Sequence, residues 1–159
     1  MSSPASIKKH PIHPMLVTVP IGLWLFSLVC DIAFKIWGGE SWAIVARYTM
    51  GGGIVGALLA AVPGLIDYKA LRDPQVTKIA TAHMTINLVA VALYTANLWM
   101  RTRNPNDDQL PPVPFALSII AVLLLLVSGW LGGEMIYKHG VGVEPQNDTP
   151  AEAHAKDRI

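Results

Sequence analysis

The chain contains four apolar runs, each long enough to be a membrane-crossing helix, and the segments between and beyond them hold most of the prolines and charges. Nothing else in the sequence constrains the fold as strongly. A bilayer core asks for ~20 consecutive apolar residues per helix and requires each backbone polar group to be satisfied within its own segment. The runs fall at about 14–37, 42–66, 75–101 and 113–137. Charged residues make up 14% of the chain, against roughly 25% in soluble domains. The expected fold is therefore all-α, an integral membrane four-helix bundle with up-down-up-down connections.

Local signals place the span ends. Pro14 suits the first helical position, Pro20 and Gly22 should bend the first span early, and Gly38-Gly39 ends it. Ser41 reads as the N-cap of span two, and Asp73-Pro74 as cap and first-turn proline of span three. Arg101-Thr-Arg103-Asn-Pro105 stops that helix, and a polar loop from Asn104 to Pro112 leads to span four. From Gly140 onward the chain is polar and proline-bearing, with no apolar surface to bury, so 140–159 reads as a disordered tail. Lys8 and Lys9 precede the first run as in a signal peptide. That run is longer than the ~7–15 residues of a signal core, so it reads as an uncleaved span.

An even number of spans puts both termini on one side. That side carries Lys8, Lys9, Lys69, Arg72, Lys78 and Lys138, and the other Lys35, Arg47, Arg101 and Arg103. The excess predicts cytoplasmic termini, with 1–12 as a cytoplasmic segment. Trp37, Trp42 and Trp99 then belong to an aromatic belt at the outer interface. A net charge of +1 gives no reason to expect nucleic acid. The single cysteine, Cys30, excludes an intrachain disulfide framework and a cysteine-based zinc or iron–sulfur site.

Small and polar residues mark the faces where membrane helices meet. At helical spacing they form one stripe per span. Span one gives His13, Val17, Pro20, Trp24, Ser27 and Asp31; span two gives Thr49, Gly52, Gly56, Ala60, Pro63 and Asp67. Span three gives His83, Asn87, Ala90, Tyr94 and Asn97; span four gives Ala121, Leu125, Ser128, Gly132, Met135 and His139. If the stripes face one another, His13, Asp67, His83 and His139 converge near one mouth of the bundle. Gly52, Gly56, Gly129, Gly132 and Gly133 would leave room above them for a flat cofactor. The commoner use of Gly-xxx-Gly in an apolar run is close helix packing. His10 reads as part of a rigid chain entry, His10-Pro-Ile-His13-Pro, and Asp31 as an ion pair with Lys35 or Arg47. His154, in the tail, has no assigned role.

The stretches His10-Pro-Ile-His-Pro-Met-Leu-Val17 and Gly129-Trp-Leu-Gly-Gly-Glu-Met-Ile-Tyr-Lys-His-Gly-Val-Gly142 resemble the bacterial membrane-protein family DUF2231, over about residues 8–142. Members of that family look like compact four-span proteins, and some relatives are joined to Rieske iron–sulfur domains. The family is also similar, more distantly, to di-haem cytochromes of the b561 kind. The resemblance implies a redox setting, with His13, His83 and His139 as haem-ligand candidates. The b561 layout has histidines towards both membrane faces; here the outer half has none, which speaks against a second haem.

Several chemistries fit. The first is a non-covalent haem b between facing helices, with His13 and His83 as axial ligands and Gly52, Gly56 and Gly132 lining the slot. His139, beyond the span, better suits a propionate or proton exchange. Such a protein would pass electrons to or from a quinone or an iron–sulfur partner. The second is a metal ion held by His13, His83, Asp67 and Glu134, a set suited to iron, zinc or manganese. The third is a structural or assembly subunit of a larger membrane complex, with the bilayer as its main partner. Proton-coupled transport would want an acidic residue at mid-membrane, and Asp31 lies too near the outer end.

Overall fold

The computed structural model describes residues 3–103 and 110–143. After a short antiparallel hairpin, β1 (Ser6–Ile7) and β2 (His10–Pro11), come the helices α1 (Ile12–Leu16), α2 (Thr18–Trp37), α3 (Glu40–Ala70), α4 (Pro74–Arg103) and α5 (Pro112–Tyr137). The first span, Ile12–Trp37, comprises α1 and α2. It is interrupted near Val17, since Pro20 offers no N–H to the carbonyl of Leu16 and its ring crowds that oxygen. Pro14 sits in the first turn of α1, where no donor is needed. Gly38 and Gly39, at φ +69° and +96°, end α2 in a conformation open to glycine.

The second span starts at Glu40 with Gly39 as N-cap, so Ser41 is not its cap, and it continues to Ala70. Asp73 caps α4 as expected: its Oδ1 accepts the N–H of Gln75 at 2.7 Å. The loop of 104–109 and the tail beyond 143 lie outside the described residues.

All four spans are long and apolar enough to cross a membrane. Their polarity is distributed inside out. Ser27, Asp31, Asn97, Arg101, Ser118 and Ser128 are buried, while Leu58, Leu59, Val62, Leu123, Leu126 and Trp130 are exposed. Water would not tolerate so continuous an apolar exterior, whereas lipid favours it.

Packing is strongest between α2 and α3 and between α4 and α5, and weaker across α3–α4 and α2–α5. The bundle is thus two helix hairpins closed face to face, with span one and α4 on its diagonal. The N-terminal hairpin folds against the end of α3. Oδ1 of Asp67 accepts the Ser3 hydroxyl at 2.7 Å and the Ala5 N–H at 3.1 Å. After α5 the chain turns through Gly140, at φ +62°. Gly142 then lies so close to Pro11 that a Cβ there would stand 3.4 Å from its Cγ. Both ends of the described chain therefore meet at one end of the bundle.

Candidate functional site

Three side-chain pairs cross the diagonal between span one and α4. At the end where the termini meet, the rings of His13 and His83 lie 6.4 Å apart, centroid to centroid, at 82°. At the centre the indole of Trp24 stacks on Tyr94 at 4.4 Å and 10°. Near the far end Arg101 grips Asp31 through both guanidinium nitrogens, at 2.6 and 2.7 Å. His83 and Arg101 are about 27 Å apart along α4 at 1.5 Å per residue, so the outer two layers sit near opposite faces of a ~30 Å hydrocarbon core.

The histidine layer is built by hydrogen bonds to backbone. Nδ1 of His13 meets the carbonyl of Ala60 at 2.8 Å, and Nδ1 of His83 meets the carbonyl of Ser128 at 2.9 Å. A carbonyl can only accept, so each Nδ1 donates; in the neutral ring this is the tautomer that leaves the lone pair on Nε2. Pro63, in the same turn of α3, leaves the neighbouring Leu59 carbonyl without a helical donor. On the other side, Asn87 donates to the Ser128 hydroxyl at 2.7 Å and to the His83 carbonyl at 2.8 Å, fixing the turn that bears His83. Among the described residues no hydrogen bond reaches either Nε2.

Glycines seat both rings. A Cβ on Gly64 would fall 2.7 Å from Nδ1 of His13, and one on Gly132 would fall 3.5 Å from Cε1 of His83. The two half-sites repeat one another. His13 binds the carbonyl of Ala60 beside Gly64; His83, 70 positions on, binds that of Ser128 beside Gly132, each 68 positions on. The 70-residue offset also relates Trp24 to Tyr94 and Asp31 to Arg101. On the second helix of each hairpin, buried Ala46, Met50, Gly53 and Ala60 correspond to Pro114, Ser118, Ala121 and Ser128. The molecule is a tandem repeat of one helix hairpin, its halves related by a pseudo-twofold axis along the bundle. The offset was present in the stripes of spans one and three, which share the spacing i, i+4, i+7, i+11, i+14.

The other expected site residues go elsewhere. Asp67 anchors Ser3 and Ala5. Glu134 pairs with Lys138 at 2.7 Å. The metal set of His13, His83, Asp67 and Glu134 is therefore not assembled, and among the described residues no group of three or more His, Cys, Asp or Glu could hold a metal ion. His139 lies in the turn past α5, close enough to Glu134 to interact with its charge, and among the described residues it makes no ring contact with the histidine pair. Gly52 and Gly56 do not line a slot: Leu23 stands 3.2 Å from the Cβ position of the first, and Val19 and Pro20 stand 3.1 and 3.3 Å from that of the second. Both admit span one. His10 is exposed and bonds the carbonyl of Lys8.

Asp31 is ion-paired, with Arg101 as its partner rather than Lys35 or Arg47. Ser118 adds a hydroxyl bond to Asp31 at 3.1 Å, and Asn97 accepts from Arg101 Nε at 2.8 Å. Arg101 had read as a flanking stop signal. Its position four residues after Asn97, on the same stripe, was the available clue. Between the polar ends lies an apolar plug of Trp24, Met50, Ala90, Tyr94, Ala121 and Leu125. Among the described residues no polar side chain belongs to this cluster apart from the Tyr94 hydroxyl and the Trp24 indole N–H.

Fold, exterior and buried polar pairs define a four-span membrane protein with a histidine pair at one end. The profile of the predicted membrane protein family DUF2231 matches residues 9–145, and the chain belongs to that family. No curated protein and no solved structure matches it.

Proposed function

We propose that the protein binds a b-type haem through Nε2 of His13 and of His83 and carries electrons at one face of the membrane. The carrying observation is the pair of equivalent imidazoles, each held as the Nδ1–H tautomer by a helix carbonyl, with centroids 6.4 Å apart. With each Nδ1 engaged by a backbone carbonyl, Nε2 of His13 and Nε2 of His83 would be the atoms that hold the haem. The donor set also favours haem over a bare ion. A metal ion caged by protein alone takes three or more side chains, while a haem would ask this chain for no more than the two imidazoles.

When bound, the haem supplies a reversible one-electron change at its iron. The chain's own residues hold and tune that centre. The Ala60 and Ser128 carbonyls fix ring orientation and make each Nε2 a better donor. The Trp24–Tyr94 plug keeps water and ions from crossing, so the site works from its own end of the bundle. With Arg101 buried against Asp31, the basic excess on the histidine side widens to six residues against three. This supports a cytoplasmic histidine end in the inner membrane. An iron–sulfur protein or a quinone would exchange electrons there.

Protein purified in mild detergent from haem-replete cells should show a Soret band that shifts on dithionite reduction. His13→Ala and His83→Ala should each abolish it. Gly64→Ala, whose methyl presses on His13, should weaken haem retention more than Gly132→Ala, whose methyl makes ordinary contact. A colourless protein that takes up no haemin on titration would overturn the proposal.

A further inference from the structure

We infer that the N-terminal hairpin is a binding site for one anionic phospholipid. The inference is independent of haem. Beside the hairpin lies a groove of about 360 Å³ lined by Ile7, Lys8, His10, Ile12, Met15 and Leu16, at the small end of ligand-pocket volumes. Its surface is almost wholly apolar, Lys8 and His10 are among the residues that bound it, and its lining holds no acidic side chain. Ile7 and Met15 are 65% and 64% exposed, although they sit where the first span begins. Apolar surface beside basic groups at that depth matches an acyl chain with its phosphate above it.

The tip is held rigidly. The strand register pairs Ile7 with His10, leaving Lys8-Lys9 as a two-residue turn with φ +47° and +69°. Type I′ hairpin turns need positive φ at both central positions and favour Asn-Gly. Lysine is an unfavourable choice for that turn, and Lys8 is the one of the pair that lines the groove. His10 closes the tip through the Lys8 carbonyl at 2.9 Å, and Asp67 fastens the hairpin's base to α3.

The test is retention of lipid by the full chain, read by native mass spectrometry from micelles containing equal phosphatidylglycerol and phosphatidylcholine. The wild type should retain the anionic lipid preferentially. Lys8→Asn with Lys9→Gly suits the turn better than the native pair, so the variant should fold at least as well. Its preference should fall by about fivefold through loss of the Lys8 charge. Met15→Ser should reduce retention of both lipids. Equal retention by the wild type, an unchanged preference in the double variant, or displacement of the lipid by inorganic phosphate alone would overturn the inference.

Discussion

A charge inside an apolar bundle survives only if every donor and acceptor around it is used. Asp31 is 1% exposed and Arg101 6%. Asn97 bridges this pair to α5 by donating to the Pro114 carbonyl and the Ser118 hydroxyl, both at 2.9 Å. Removing one member strands the other. Arg101→Ala should cost about 3–5 kcal/mol in chemical unfolding in detergent. Asp31→Leu with Arg101→Met, which takes both charges out together, should recover much of that loss. A single variant as stable as the wild type would show that the pair is not desolvated in the bilayer.

At the scale of elements, proline and glycine decide where helices stop, and first-turn amides without a side-chain cap are left to water at the helix ends. Among the described helix starts, Pro11, Val17, Gly39 and Pro111 make no side-chain cap bond. Asp73 is the contrast: it opens α4 after a three-residue connection and binds both the Gln75 and Val76 amides. Asp73→Ala should cost about 1 kcal/mol, seen as faster hydrogen exchange at Gln75 and Val76 with the remainder of α4 unaffected. Uniformly faster exchange along α4 would mean that this turn holds the whole helix.

The whole molecule is two hairpins of one design joined across a seam. Each packs mainly on itself, and the diagonal pairs His13–His83, Trp24–Tyr94 and Asp31–Arg101 cross the seam. Fragments 1–72 and 73–159, co-expressed with a tag on one, should therefore insert separately and copurify. Arg101→Ala in the second fragment should weaken their association. Fragments that never associate would show that the halves do not form independently.

The number of spans, their approximate ends and the inward faces of spans one and three were determined by the sequence alone, because hydrophobic length, caps and helical period are local properties. His13 and His83 were legible for the same reason: each lies on the small, polar face of its own helix. Span two was misread near its start. Thr49 and Gly52 were expected inside, whereas Met50 and Gly53 are buried, a rotation of about 100° on a helix. The cause is Trp24, whose indole packs against Gly53 and donates to the Met50 carbonyl at 3.2 Å. Only the tertiary structure decided that Asp31 meets Arg101, that Asp67 anchors the N-terminus, and that Gly52 and Gly56 receive span one. Each depends on the rotation and height of one helix against another. Those are set by packing between residues tens of positions apart, and no local pattern encodes them.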